Sequence, residues 1–321
     1  MAIKIGRNQW LGVGIETTPG TAVDPAKYLP FTTCTLRQVI DVLDDEAAKG
    51  VRERNWGSVA GPNRGEGDIE ILVDAENAPY LLIPALGSVS STTASGETAV
   101  YEHTITRKNT NPPTTLTINY NDTVSTRKYT YAVVNTLELT VSDGLATMTA
   151  GILSKAPVSG TGTKSITEET VLAFKDYTVK FGSSLSDAAT ADPTKLSAFR
   201  LRINNNAEPQ YLSGSNSPDS ISMGQLEIEG DYTLFFENTT EQSAYENQTK
   251  RAMIVTFTGA SIGNSETEEI KINIPRFHIR ERAMDTAPAG FITENPTFVV
   301  DYDSTEAKSI EIVVTNETSS Y

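Results

Sequence analysis

Gly67-Asp68-Ile69-Glu70-Ile71-Leu72-Val73-Asp74 is answered later in the chain by Gly230-Asp231-Tyr232-Thr233-Leu234-Phe235-Phe236-Glu237. Each phrase reads as Gly-Asp, a short apolar strand, then an acidic residue. Each is followed by a stretch of helical character that carries a tyrosine, Tyr80 or Tyr245. Each is preceded by a Leu-Arg pair at the end of a polar-apolar run, Leu36-Arg37 or Leu201-Arg202. Internal repetition fixes the number of folding units. Here it predicts two copies of one unit.

The length of 321 residues accommodates that division. A unit of half that size buries roughly 70% of its unfolded surface, enough for a core of its own. The hydrophobic fraction of 38% and aromatic fraction of 7% fit neither a membrane protein nor a disordered chain. No apolar run approaches the ~20 residues of a membrane helix. Residues 1–7 lack the long apolar stretch of a signal peptide, which points to synthesis in the cytoplasm.

The single cysteine, Cys34, excludes an intrachain disulfide framework and reads as an inert thiol in a strand-like run of threonines. His103 and His278 are far apart, with no cysteine or His-Glu-x-x-His partner nearby. A zinc site or a Ser-His-Asp triad has almost nothing to be built from, so neither metal nor catalytic residues are assigned. Net charge is −15 and uneven: residues 1–160 carry 13 basic and 17 acidic side chains, residues 161–321 carry 13 and 24. That argues against a conventional nucleic-acid grip, which neutralises phosphates with Lys and Arg.

Along the chain, residues 1–30 read as a polar, turn-rich arm. The Gly12-x-Gly14 within it lacks the Gly-Lys-Ser/Thr and the strand-to-helix context of a phosphate loop. Residues 31–40 alternate as a strand. Residues 41–66 form a long charged insert containing Asp41, Asp44, Asp45, Arg52, Arg54, Trp56 and Arg64. Loops longer than about 12–15 residues are uncommon in compact domains and are usually functional or disordered. A tryptophan among arginines suits contact with another chain. After the repeated strand at 69–73, residues 75–87 predict a helix stopped by Gly87 and shortened or ended by Pro84.

Residues 88–95 read as a Ser/Thr linker. Strands follow at 100–106, 115–120, 128–134, 136–141 and 147–153, with turns at Asn121-Asp122 and Ser142-Asp143-Gly144. The second unit predicts strands at 174–181, 199–203, 225–229, 231–237, 252–259, 269–279, 297–302 and 310–316. Its one helix falls near 240–250, where Thr239, Thr240 and Glu241 suit an N-terminus. A long loop at 204–224, carrying Glu208, Tyr211 and Asp219, stands where the first unit has its insert.

The acidic pairs Asp44-Asp45 and Glu268-Glu269 lie in polar segments and read as solvated turns rather than acid/base machinery. The run from Asp41 to Glu46 lacks the central glycine and alternating spacing of a calcium loop. The triplets Asn238-Thr239-Thr240 and Asn316-Glu317-Thr318 look like glycosylation sites and carry no weight without a secretory signal.

The phrase Gly14-Ile15-Glu16-Thr17-Thr18-Pro19-Gly20-Thr21-Ala22 resembles the opening of the tail tube proteins (major tail proteins) of long-tailed, non-contractile bacteriophages. The order that follows is similar too: Ala78-Pro79-Tyr80-Leu81-Leu82, Tyr101-Glu102-His103-Thr104-Ile105, Pro113-Thr114-Thr115-Leu116-Thr117-Ile118, Val134-Asn135-Thr136-Leu137-Glu138-Leu139 and Ile274-Pro275-Arg276. The resemblance implies a β-sandwich with a flanking helix, whose hairpins close a shared barrel around a channel. It also implies loops and arms that hook one ring to the next.

The fold class expected is mainly β: two tandem tail-tube-type sandwiches, each with one short helix. Residues 1–30 are the arm, 31–158 the first domain, 159–170 a linker and 171–321 the second domain. The ring-stacking loops would hold Asp41, Asp44, Asp45, Arg52, Arg54, Trp56, Arg64, Glu208, Tyr211 and Asp219. The repeated strand would hold Gly67, Asp68, Asp74, Gly230, Asp231 and Glu237.

The duplication implies a ring of three chains with pseudo-six-fold symmetry, a hexamer being second. Implied partners are further copies of the chain, the tail terminator, tape measure and distal tail proteins, and double-stranded DNA in transit. No cofactor and no enzyme activity are implied, and the place is the virion tail.

Four strands from each of six domains, spaced ~4.8 Å and tilted ~40°, give a circumference of ~150 Å. A clear width of ~38 Å remains after side chains, enough for duplex DNA of roughly 20 Å. An acidic lumen would repel the DNA and let it slide. The rival reading is a two-domain β-sandwich host-surface or carbohydrate-binding protein, against which the chain offers only Trp10 and Trp56.

Overall fold

The structure, a computed structural model, describes residues 3–94, 97–263, 266–286 and 290–321. The chain is mainly β, built from antiparallel pairings. The first run opens with β1 (Trp10–Ile15), β2 (Lys27–Leu29), β3 (Thr33–Cys34), β4 (Arg37–Asp44) and β5 (Ser58–Leu72). After helix α1 (Pro79–Leu86) come β6 (Gly87–Thr93), β7 (Tyr101–Arg107), β8 (Leu116–Asn121), β9 (Thr126–Val141), β10 (Thr147–Lys155) and the stub β11 (Val158–Ser159). The second run holds β12 (Tyr177–Gly182), α2 (Leu185–Thr190), β13 (Leu196–Asn204), β14 (Glu208–Gln210), β15 (Ser220–Ser222) and β16 (Glu227–Phe235). It closes with α3 (Thr240–Glu246), β17 (Arg251–Gly263), β18 (Glu266–Asp285), β19 (Thr293–Val300) and β20 (Glu311–Asn316).

The repeated phrase falls on β5 and β16 and holds one register in both. Leu201 of β13 stands opposite Gly230, and the pairing of Arg37 with Glu66 sets Leu36 beside Gly67. A Cβ on Gly67 would meet the Thr35 carbonyl oxygen at 2.5 Å, and one on Gly230 the Arg200 carbonyl oxygen at 2.3 Å. The glycine recurs because the neighbouring strand fills the space a side chain would need. The irregularities recur as well. Asn135 is the extra residue of β9 between Val134, opposite Ile152, and Thr136, opposite Gly151. Arg280 is the extra residue of β18 between Ile279, opposite Phe298, and Glu281, opposite Thr297. A second shift between Leu116 and Ile118 of β8 is matched between Arg251 and Met253 of β17.

Each run therefore builds a sandwich on one plan. An inner layer orders β3/β4, β5, β10, β9 in the first copy and β13, β16, β19, β18 in the second. The fourth strand bends at its bulge and runs on into the outer layer, where β9 meets β8 and then β1, and β18 meets β17 and then β12. Between the layers lies one continuous core. It is largely aliphatic around Ile69, Ile71, Leu81 and Ile152 and aromatic in the second copy. There Phe277 and Phe298 meet edge to face at 5.4 Å, with Phe181 and Tyr232 beside them.

Several expectations change. Residues 10–15, placed in an arm, form buried β1, with Trp10, Leu11 and Val13 in the interior. Alternation is hidden there because Gly12 and Gly14 face the 23–28 segment, where Pro25 and the Asp24 carbonyl leave no room for a Cβ. Met1 and Ala2 of the arm lie outside the described residues. The Ser/Thr stretch from 88 is β6, hydrogen-bonded along β7, rather than a linker; Ser95 lies outside the described residues. The pairs of strands expected at 128–134 and 136–141, and at 225–229 and 231–237, are each one strand. The insert at 41–66 is mostly the extended hairpin of β4 and β5. Helix α2 was not foreseen. Tyr80 is buried but Tyr245 is exposed, so the two tyrosines are not equivalent.

Helix α1 has Pro79 at its start and Gly87 as a left-handed cap whose N–H reaches the Ile83 carbonyl, but it begins four residues later than expected and runs on through Pro84, which neither shortens nor ends it. Helix α3 begins at Thr240 with no cap from the Thr239 side chain; Asn238 Oδ1 accepts from the Thr240 N–H instead. Its Glu241 is buried, accepting from Tyr232 Oη at 2.5 Å and from Arg251 at 2.9 Å.

Two buried polar clusters tie neighbouring strands of the outer layer together. Thr18-Pro19-Gly20-Thr21 is a tight turn, with Gly20 at φ +81 and the Thr21 N–H bonded to the Thr18 carbonyl. The Glu16 carboxylate beneath it accepts from the Gly20 N–H (2.6 Å), Thr115 and Thr117 hydroxyls (2.7 and 2.8 Å) and the Tyr131 N–H (3.0 Å). Tyr131 sits at φ +51, an uncommon conformation for a bulky residue, held by that last bond. At the other end of the chain, His103 lies between Ser91 (2.7 Å) and Asn316 (3.0 Å), under the Tyr321 ring.

Glu16→Gln turns an acceptor oxygen into an amide facing N–H and O–H donors. It is expected to lower stability by about 2–3 kcal/mol, read as a lower urea midpoint at unchanged m-value. Burial holds the His103 pKa below its usual 6.5. The unfolded chain then binds the extra proton, so this group's stabilisation is intact above about pH 6.5 and falls as pH drops below it. A melting series from pH 7.5 to 5.5 should show a smaller loss in His103→Gln than in the parent.

Candidate assembly surfaces

The two inner layers are joined by a seam inside the chain. β9 pairs with β13 over six residue pairs, from Val141 opposite Phe199 to Thr136 opposite Asn204. Leu139 meets Leu201 on the core side, and on the other face Arg202 donates to Glu138 at 2.7 and 3.0 Å. Glu229 lies 4.0 Å from the same guanidinium, and Arg200 is bonded to Asp231. These pairs are half exposed, so they set register more than stability. The result is one eight-strand inner sheet: β3/β4, β5, β10, β9, β13, β16, β19, β18.

That sheet ends in two edges. Among the described residues, β3 and β4 pair with β5 alone, and residues 278–284 of β18 pair with β19 alone. An edge of this length presents a row of unpaired N–H and C=O groups, which proteins otherwise cover or shorten.

Beyond the sheet the β4–β5 hairpin projects, and its apolar side chains are open to solvent: Ile40, Val42, Leu43, Val51, Trp56 and Val59 are all exposed. Its tip is ordered by its own charges. Asp45 binds Lys49, whose ammonium lies 5.1 Å over the Trp56 ring, and Arg54 pairs with Glu46 at 2.8 Å. Asp44 ends β4, Arg52 lies exposed in the tip, and Arg64 bonds Glu66 and Asp41 at 2.9 and 3.4 Å. The 205–226 connection, its positional counterpart, folds back instead. Ala207, Ile221 and Met223 pack on Tyr131, Val133 and Leu153 of the first copy.

The two loops touch: the Asn63 N–H donates to the Asn216 carbonyl at 2.7 Å, and Asn216 Nδ2 donates to the Ala60 carbonyl at 3.0 Å. Tyr211 follows β14 and is half-buried, while Glu208 and Asp219 stay exposed on the β14–β15 ladder and its turn.

Of the repeated phrase, Gly67 and Gly230 are positioned by close approach, and Asp68 and Asp231 point away from the core. Its final acids diverge. Asp74 is buried, its Oδ1 accepting from the Glu76 and Asn77 N–H groups, whereas Glu237 is exposed.

The face of the inner sheet opposite the core is polar and acidic. Asp68, Glu70, Glu138, Glu229 and Asp231 alternate along their strands with core-facing neighbours, Glu281 follows the Arg280 bulge, and Arg37, Arg200, Arg202 and Arg280 share that face. Threonines fill much of the rest, among them Thr136, Thr140, Thr149 and Thr297. The rule of alternation could locate this face strand by strand, but not which strands were neighbours.

Among the described residues, nothing comparable supports catalysis. Ser91, His103 and Asn316 imitate a triad, yet His103 is fully buried. Its Nδ1, not Nε2, faces the serine, the reverse of the catalytic arrangement. The Cys34 thiol is pushed up to about 11 by burial, so it is protonated at neutral pH. Among the described residues no group of three or more His, Cys, Asp or Glu is arranged to hold a metal ion. No helix among them is long and apolar enough to cross a membrane.

Compared with known proteins, residues 6–303 match the family described as phage tail tube protein. No curated protein matches the chain.

Proposed function

The chain belongs to the phage tail tube protein family, and from that premise we propose that three copies close a ring of pseudo-six-fold symmetry whose stacking makes the DNA channel of a phage tail. The family makes it a structural component of the virion tail that assembles with itself and meets other tail proteins. The observation that carries the finer reading is the eight-strand inner sheet with an unpaired edge at each end. Four strands come from each copy, the number that gives a barrel with a clear width of ~38 Å when six copies close it. Closing the sheet on itself pairs both edges at once.

The outward face of that sheet is then the channel wall. Duplex DNA carries about one negative charge per 1.7 Å, and a wall with more carboxylates than guanidiniums repels it. Aromatic stacking platforms, which hold nucleic acid whatever its sequence, are absent from the mid-strand positions of this face among the described residues.

The exposed apolar hairpin at 40–59 and the adjoining 208–222 connection form the stacking surface toward the next ring. Asp41 and Trp56 lie on the first, Tyr211 and Asp219 on the second, and Arg64 follows the hairpin in β5. Contacts with terminator, tape measure and distal tail proteins fall to the rings at the ends. Synthesis takes place in the host cytoplasm, and the role is structural rather than enzymatic.

Residues 58–65 belong to β5, and Gly65 packs on Tyr129, so removing the whole insert would damage the sheet. The clean test shortens only the tip, replacing residues 46–55 by Asn-Gly, which suits a two-residue hairpin turn. The chain should melt within a few degrees of the parent yet give no long tubes in negative stain. Long tubes would show that stacking lies elsewhere. The wall is tested by the triple change Asp68→Lys, Glu70→Lys, Glu229→Lys. Tubes of this variant should co-sediment with short duplex DNA at low salt and release it as salt rises, while parent tubes leave it in the supernatant. Binding by parent tubes at low salt would contradict a repelling wall.

A further inference from the structure

The seam inside the chain is a template for one between chains, because both copies follow one pairing plan. At the inner seam, Thr136 and the residues after it on β9 meet β13. Their counterparts on the second copy start at Glu281, which follows the Arg280 bulge as Thr136 follows the Asn135 bulge. The counterpart of β13 in the first copy is residues 34–39, since Leu36 stands beside Gly67 as Leu201 does beside Gly230.

Resting on the tube reading above, we propose that residues 281–284 of one chain pair antiparallel with 36–39 of a second copy in one register. Arg37 stands opposite Ala283, Leu36 opposite Met284, Gln38 opposite Arg282 and Val39 opposite Glu281.

The side chains agree with that register independently of the symmetry. Leu36 faces the core, and Met284, more than a third exposed in the free chain, would be covered on the same face, as Leu139 and Leu201 cover each other at the inner seam. Arg37 already faces Glu66 across β5 and would gain Glu281 as a diagonal neighbour, as Arg202 lies between Glu229 and Glu138.

The next pair has changed on both sides together. The inner seam opposes Leu137 and Ile203, both apolar and buried; the outer seam opposes Arg282 and Gln38, both polar. Arg282 is held by a two-pronged bond to buried Glu294, at 2.8 and 2.9 Å. An apolar partner such as Ile203 would press against that guanidinium, whereas the Gln38 amide has polar atoms to offer it. The two seams are thereby made non-interchangeable, which keeps an open edge from pairing with the wrong strand. A one-residue slip would also carry Met284 to the channel face.

The test uses the full chain with Cys34→Ser as background and Arg37→Cys with Ala283→Cys added. Both replaced side chains are exposed in the free chain, and they lie on opposite edges of the inner sheet, so a disulfide between them joins two chains. Opposed residues have Cα atoms about 4.5–5.5 Å apart, within disulfide reach, and a pair two residues off does not. Mild oxidation should give a ladder on a non-reducing gel that ends at three chains, and Arg37→Cys with Glu281→Cys should give at least tenfold less. Tubes in negative stain with no bond in the first pair, or a stronger bond in the second, would overturn the register and leave the tube reading standing. A chain that stays monomeric and unlinked at every concentration would overturn both.

Discussion

A strand at the edge of a sheet carries backbone donors and acceptors that must find partners somewhere. The architecture of this chain follows from how it meets that demand. The first copy gives its β9 edge to β13 of the second, so two four-strand layers become one sheet of eight. Glycine at 67 and 230, the bulges at Asn135 and Arg280, and the bent strands that cross from inner to outer layer all serve to keep the two halves in the same alignment. Only then do the polar positions of both copies fall on one face.

Much of this was legible in the sequence, for identifiable reasons. The duplication could be read because close backbone approach forces glycine at the same register, and the acid after it takes the outward position. Strands such as β10 and β20 could be read from period-two alternation. What stayed hidden was hidden by chemistry that alternation does not report. β1 conceals its buried face behind two glycines, and β6 conceals its pairing behind serines and threonines that suit a linker equally well. The hairpin at 41–66 looked like a loop because both of its faces are exposed in the free chain, so no buried stripe marks it. Nothing in the pattern around Glu16 marks its role, yet it is the acceptor that fixes the 18–21 turn, the start of β8 and the Tyr131 backbone. The positions of Glu208, Tyr211 and Asp219 could be matched to the first insert by spacing, but not their return onto the neighbouring copy.

The two copies have also diverged in what fills equivalent space. Where the first packs Leu137 and Met148, the second buries the Arg282–Glu294 pair, and where the first core is aliphatic the second is crowded with phenylalanine. A buried ion pair is weak evidence for added stability, since desolvation offsets much of its attraction. Its location beside an open strand edge gives it a different value, as a mark that distinguishes one edge from the other. Duplication supplies like modules, and divergence of this sort tells them apart.

The β6–β7 hairpin has a mechanical meaning. Although it belongs to the first run, β7 pairs with β20, which is itself paired with β18, so the copies are bound together in the outer layer as well as at the inner seam. Two copies clamped through both layers would move as one stiff body. In a ring of three such bodies, bending strain would gather at the three joints between chains rather than spread over six. The ring would flex as a triangle about those three joints, while the bending of a tail would fall to the contacts between one ring and the next.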